Sequence, residues 1–176
     1  MKKFLFILFL CTVSFSLFAT KVLRGTALWV VDGDTILLRQ GNKLTSIRLW
    51  GIDAPESKQA GGKASTFFLA KLIGRKRVKI VSAGTGKYGR LIGKIYYKGK
   101  FINLEMVKAG HAWWHKKYSP NANKFKEAQK IAKKEKLGLW KNPFAIKPEF
   151  FRHPERQNIS QVRLTANYND LQAKKE

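Results

Sequence analysis

Two short alternating stretches flank a four-residue turn near the start of the chain, and that pattern limits the fold more than any other feature. Thr35 to Arg39 places Ile36 and Leu38 on one face. Leu44 to Trp50 places Thr45, Ile47 and Leu49 on one face and Arg48 on the other. Between them, Gln40-Gly41-Asn42-Lys43 reads as a hairpin turn, because Gly and Asn tolerate positive φ. A period of two with one apolar face is the signature of a half-buried sheet. The apolar run Ala27 to Val31 precedes the hairpin, and Val78 to Val81 and Leu91 to Tyr97 extend the β pattern beyond it.

Helical spacing appears in three places. Ser57 to Ile73 carries Ala60, Ala64, Phe68 and Leu72 at intervals of four, and Gly74 ends it. Asn103 is a candidate cap for a short helix from Leu104 to Ala109, stopped by Gly110. Ser119 and Pro120 open a longer one, with Phe125, Ala128 and Ala132 as its buried stripe and Gly138 as its close. Trp29, Trp50 and Trp140 are expected in the core. The fold class is β-rich α+β: a five-stranded OB-fold barrel with about three packed helices.

Met1-Lys2-Lys3, the apolar run from Phe4 to Phe18 and small Ala19 fit a signal peptide over residues 1–19. The alternative is an uncleaved N-terminal anchor. The expected destination is secreted, periplasmic or cell-envelope, with membrane contact only if that segment stays attached. Residues 20–152 form the expected domain, and 153–176 a polar, flexible tail. The one cysteine, Cys11, lies within the leader, so no disulfide is expected. With three His besides, a soft-ligand zinc site is not expected. The net charge of +24 is spread along the chain and calls for a polyanionic partner, either nucleic acid or an anionic surface.

The candidate chemistry lies in three segments. Asp32-Gly33-Asp34-Thr35 reads by itself as a turn. Asp53-Ala54-Pro55-Glu56 reads as the end of a strand before a helix, Arg48 as a surface strand residue, and Lys87-Tyr88-Gly89-Arg90 as a basic turn. Jointly they suggest more. Asp34 opens one strand, and Asp53 and Glu56 close the next, so a hairpin-linked sheet can bring three of the chain's 11 acids together. Clustered acids are costly unless a cation sits among them, and an oxygen set suits a hard cation such as calcium. Arg48 and Arg90 offer planar forks for a phosphate. Two arginines, one divalent ion and one carboxylate base suffice for phosphodiester hydrolysis.

Val31-Asp32-Gly33-Asp34-Thr35, Arg48 to Glu56 and Lys87 to Arg90 resemble the three signature segments of the thermonuclease (staphylococcal nuclease-like) family, in order and approximate spacing. Gly138-Leu139-Trp140 resembles the family's closing segment, and Pro148-Glu149-Phe150-Phe151-Arg152 does so more weakly. The resemblance implies that Asp34, Asp53 and the Ala54 carbonyl bind Ca2+. It implies Glu56 as general base or water positioner, and Arg48 and Arg90 as stabilisers of the transition state. Lys87, Tyr88 and Tyr118 would contact the nucleotide. Members cleave DNA and RNA with little sequence preference, leaving 3′-phosphate ends. The competing readings are a non-catalytic nucleic-acid-binding module on the same barrel and a basic surface binder. Degenerate modules lose site carboxylates or arginines, and this chain retains them all. A monomer satisfies every feature. His111 and His115, four apart beside Trp113 and Trp114, read as packing or nucleic-acid contacts in preference to metal ligands.

Overall fold

The computed structural model describes residues 21–86 and 89–156. The expected leader, Lys87, Tyr88 and residues 157–176 of the expected tail lie outside that range. Strand β1 (Val22–Asp32) pairs antiparallel with β2 (Thr35–Gln40), and β2 with β3 (Lys43–Leu49) through the expected Gly41-Asn42 turn. On its other side β1 pairs with β5 (Arg77–Thr85), and β5 with β6 (Leu91–Tyr97). Strand β6 then runs parallel to β3, with Ile47, Leu49 and Arg48 opposite Leu91, Gly93 and Ile92 respectively. That pairing closes a five-stranded barrel, as expected of an OB fold. Strand β4 (Ile52–Asp53) pairs outside the barrel with β8 (Trp113–Trp114), and β7 (Lys100–Phe101) extends β6.

The hydrophobic alternation fills the barrel with Ala27, Ile36, Leu38, Ile47, Leu49, Ile80 and Ile95, all buried. Helices α1 (Gly62–Ile73), α2 (Ile102–Lys108) and α3 (Asn123–Lys134) join this core through Leu69, Met106 and Phe125. The short α4 (Pro148–Arg152) follows. Among the described residues no helix is long and apolar enough to cross a membrane.

Several local expectations change. The first helix begins at Gly62, because Gly61 takes a left-handed φ of 84° and residues 57–61 form turns. Its buried row is Ser65, Leu69 and Ile73, with Phe68 and Leu72 at the margin and Ala64 exposed. Ser65 belongs in that row because its hydroxyl donates to the His111 carbonyl at 2.6 Å. Asn103 is no cap. It is buried inside α2, accepts the Ile95 amide at 2.9 Å, and donates to the carbonyls of Trp50 and Gly93 at 2.9 and 3.1 Å. Ser119 precedes α3 by several residues. Its buried hydroxyl instead takes the Trp114 indole N–H at 3.0 Å and lies 3.0 Å from the His115 carbonyl. Gly138 opens a single tight turn after α3 has ended. Trp29 is 63% exposed, against expectation. It is in phase with inward-facing Leu23 and Ala27, but a bulge between Ala27 and Trp29 turns it outward. Trp50 packs on the core edge, and Trp140 meets buried Trp113 edge-on at 5.4 Å.

Candidate active site

The site forms where the turn after β1 meets the ends of β3 and β4. The Asp34 amide donates to the Asp32 carboxylate at 2.9 Å, which shapes the turn. Gly33 allows it to seat, since a Cβ there would lie 1.9 Å from Ser65 Oγ and 2.7 Å from the Ala54 Cβ. The Leu49 amide donates to the Asp34 carbonyl at 2.7 Å and locks the turn to the end of β3. Arg48 stands opposite Thr35 in the hairpin and beside Ile92 across the barrel seam. Asp53 is placed by the pairing of β4 with Trp113.

These elements bring three acids and two arginines into one chain of alternating charge. Arg48 Nη1 lies 2.6 Å from Asp34 Oδ1, and its Nη2 lies 2.6 Å from Asp53 Oδ1. A second fork continues the chain: Arg152 Nη2 is 3.2 Å from Asp53 Oδ2, and its Nη1 is 2.5 Å from Glu56 Oε1. Asp34 and Asp53 are 1% and 5% exposed, while Glu56 and Arg152 stand at the mouth. Asp34 also accepts the Ala54 amide at 2.8 Å and the Thr35 hydroxyl at 3.0 Å. A cleft of about 340 Å³ opens beside the outer pair, lined by Glu56, Ser57, Lys58, Phe151 and Arg152.

Burial sets the electrostatics. Loss of water pushes the Asp34 carboxyl up to about 8; Arg48 pulls it down, while Asp32 and Asp53 add to the rise. Burial also opposes the charge on Arg48, but Asp34, Asp53 and Asp32 outweigh it and hold the guanidinium above its ordinary value. Arg152 is likewise raised, burial being outweighed by Glu56 and Asp53.

Of the expected site residues, Asp34, Arg48, Asp53, Ala54 and Glu56 are brought together. Arg90 immediately precedes Leu91, the residue paired with Ile47, and makes no ion pair among the described residues. Tyr118 is exposed, in the tight turn that follows β8, with His115 at 4.6 Å. His111 stacks on Phe68 at 4.3 Å, and burial lowers the pKa of both histidines. Arg152 is the residue that sequence reasoning left out of the site. Its one signal was the Pro148 to Arg152 segment, which resembled a family feature without a role attached.

The donor chemistry at Asp34 and Asp53 fits a hard cation: two buried carboxylates meet the same Arg48 guanidinium, and their oxygens are the donors they offer. Among the described residues no group of three Asp, Glu, His or Cys stands ready as a metal cage. A cation here would therefore draw its remaining ligands from backbone carbonyls, water or substrate.

The family described as staphylococcal nuclease homologue matches residues 46–142. A Haemophilus influenzae protein named as an uncharacterized endonuclease is 39% identical over 132 residues, covering 74% of this chain and 74% of its own. An Escherichia coli O157:H7 protein of the same description is 36% identical over 132 residues, covering 74% and 86%. A Shigella flexneri protein named micrococcal nuclease is 34% identical over 143 residues, covering 76% and 82%.

Proposed function

The chain belongs to the staphylococcal nuclease family and is a phosphodiester-hydrolysing nuclease, and we propose that it is an exported, calcium-dependent enzyme acting as a monomer on both DNA and RNA. Cleavage is proposed to have little sequence preference and to leave 3′-phosphate ends. The observation that carries this reading is the run of charges Asp34–Arg48–Asp53–Arg152–Glu56 at one end of a closed barrel.

In this reading Asp34, Asp53 and the Ala54 carbonyl hold calcium, which when bound neutralises and polarises the scissile phosphate. Arg48 then releases its fork to the phosphate oxygens, and Arg90 adds a second from the far side of the seam. Together they stabilise the extra negative charge on five-coordinate phosphorus. Glu56, at the exposed end of the cluster, orients the attacking water and accepts its proton as the oxygen bonds to phosphorus; the P–O5′ bond then breaks, and the 5′-oxygen leaves as a hydroxyl with a proton from solvent. Lys87, Tyr88 and Tyr118 contact phosphate and base. Export rests on the leader-like residues 1–19, and the net charge of +24 supports a polyanionic substrate.

The test is digestion of plasmid DNA and of an RNA transcript by the purified protein with calcium, with magnesium and with chelator, beside Glu56→Gln. Calcium-dependent cleavage of both, abolished in the variant, is the expected result. Undiminished cleavage in chelator, or in Glu56→Gln, would overturn the proposed chemistry.

A further inference from the structure

The segment after residue 142 lies beyond the stretch that matches the family, yet it closes directly on the acids of the site. Two separate ties hold it there. Buried Gln59 accepts the Glu56 amide at 3.1 Å and donates through Nε2 to the Ile146 carbonyl at 2.6 Å. One side chain thus fixes the backbone of Glu56 to the strap that leads into α4. The second tie is Arg152 at the end of α4, whose two ion-pair partners among the described residues are Glu56 and Asp53.

We propose that Arg152 is a positioning residue for the nuclease reaction, holding the Glu56 carboxylate in the one orientation from which it acts on water. The inference rests on the role of Glu56 proposed above. The Glu56 side chain keeps about a third of its surface in water, at 35% exposure, so a free carboxylate there would sample several rotamers. Arg152 takes Glu56 Oε1 with one nitrogen and Asp53 Oδ2 with the other. A planar fork anchored on a buried carboxylate fixes direction as well as distance, which a lysine point charge cannot do. Gln59 fixes the other end of the same residue, so main chain and side chain of Glu56 are both set by contacts to the strap.

The experiment is steady-state hydrolysis of DNA by the full chain at saturating calcium, comparing Arg152→Ala, Arg152→Lys, Glu56→Gln and the double variant. Arg156→Ala is the reference, because Arg156 is exposed and its ion-pair partners among the described residues are Glu149 and Glu155. Loss of a supporting partner of this kind typically costs about 10–100-fold, and that loss is expected in kcat for Arg152→Ala. KM should stay within about twofold, and added guanidinium ion should restore part of the rate. Arg152→Lys, which keeps the stem and the charge, should also lose kcat. In the Glu56→Gln background, Arg152→Ala should cost nothing further, since the residue it positions no longer acts. A rise in KM at unchanged kcat, or an Arg152→Lys enzyme as fast as the parent, would overturn the inference. Full activity in Glu56→Gln would instead overturn the site reading beneath it, so the two failures are distinguishable.

Discussion

Arg48 and Asp34 form an ion pair at 2.6 Å in which the carboxylate is 1% exposed, and the same guanidinium reaches Asp53 at an equal distance. One arginine therefore compensates two acids that have almost no water of their own. Lysine's compact ammonium lacks the planar fork that spans the two at this geometry. In its proposed role, Arg48→Lys is expected to lower kcat by about 10²–10³-fold, the loss typical of one transition-state donor. In the absence of calcium it should also lower the thermal midpoint, because one buried carboxylate loses its partner. Matched kinetics and calorimetry with and without calcium check both effects.

Calcium binding at the proposed site should depend on pH through Asp34. Its carboxyl is pushed up to about 8, from an ordinary 3.8, chiefly by burial. Burial thus works against the ion pair with Arg48 and favours the neutral carboxyl, a preference fully present below the ordinary value and lost as pH rises through about 8, where the pair is fully charged. A cation needs the ionised form, so binding should release protons and tighten as pH rises toward about 8. The stabilisation given by calcium should accordingly grow from acid to mildly alkaline conditions. Titration calorimetry in two buffers of different ionisation enthalpy measures the proton release; none below pH 7 would refute the assignment.

Gly33→Ala should disturb both fold and site. The added methyl would meet Ser65 Oγ at 1.9 Å and the Ala54 Cβ at 2.7 Å. Overpacking of this sort costs about 1–3 kcal/mol. A lower urea midpoint together with weaker calcium binding is the expected result. A midpoint unchanged from the parent would show that the turn can move away.

Asn103→Leu should weaken the barrel seam without touching any site residue. The amide side chain satisfies the Ile95 N–H and the carbonyls of Trp50 and Gly93, all buried or nearly so. The Gly93 carbonyl keeps the Trp50 amide at 2.9 Å, whereas the Ile95 N–H and the Trp50 carbonyl lose this partner, at about 1–3 kcal/mol for each group left without one. Denaturant melts should show a loss on the order of 3 kcal/mol, with kcat preserved in the fraction that remains folded. A loss of kcat at full folding would mean that the seam sets the position of Arg48.

The parts legible in the sequence are those whose signals are local. The hairpin from Thr35 to Leu49 follows from alternation and a Gly-Asn turn, and Asp34, Arg48, Asp53 and Glu56 lie within a span short enough for one sheet to gather. Arg152 was not legible as a site residue because its partners lie 96 and 99 positions away, and no periodicity reports such a distance. Asn103 and Ser119 were read as helix caps because the chemistry that makes a good cap also satisfies buried backbone groups. Trp29 followed the correct alternation until a bulge, invisible in composition, reversed its face. Ser65 hid the buried row of α1, since a hydroxyl bonded to a carbonyl packs as an apolar residue does.

Closure of the barrel by only three residue pairs, between 47–49 and 91–93, has a consequence for self-association. While that seam holds, β3 presents no free row of amides and carbonyls along this stretch. Once it parts, the sheet becomes an open ribbon with an exposed edge at β3 and another at β6, and such edges are templates for joining to further chains. Asn103, bonded to both sides of the seam through Trp50, Gly93 and Ile95, therefore guards against aggregation as well as adding stability. Apolar substitutions at this residue should therefore expose those edges and favour joining of chains.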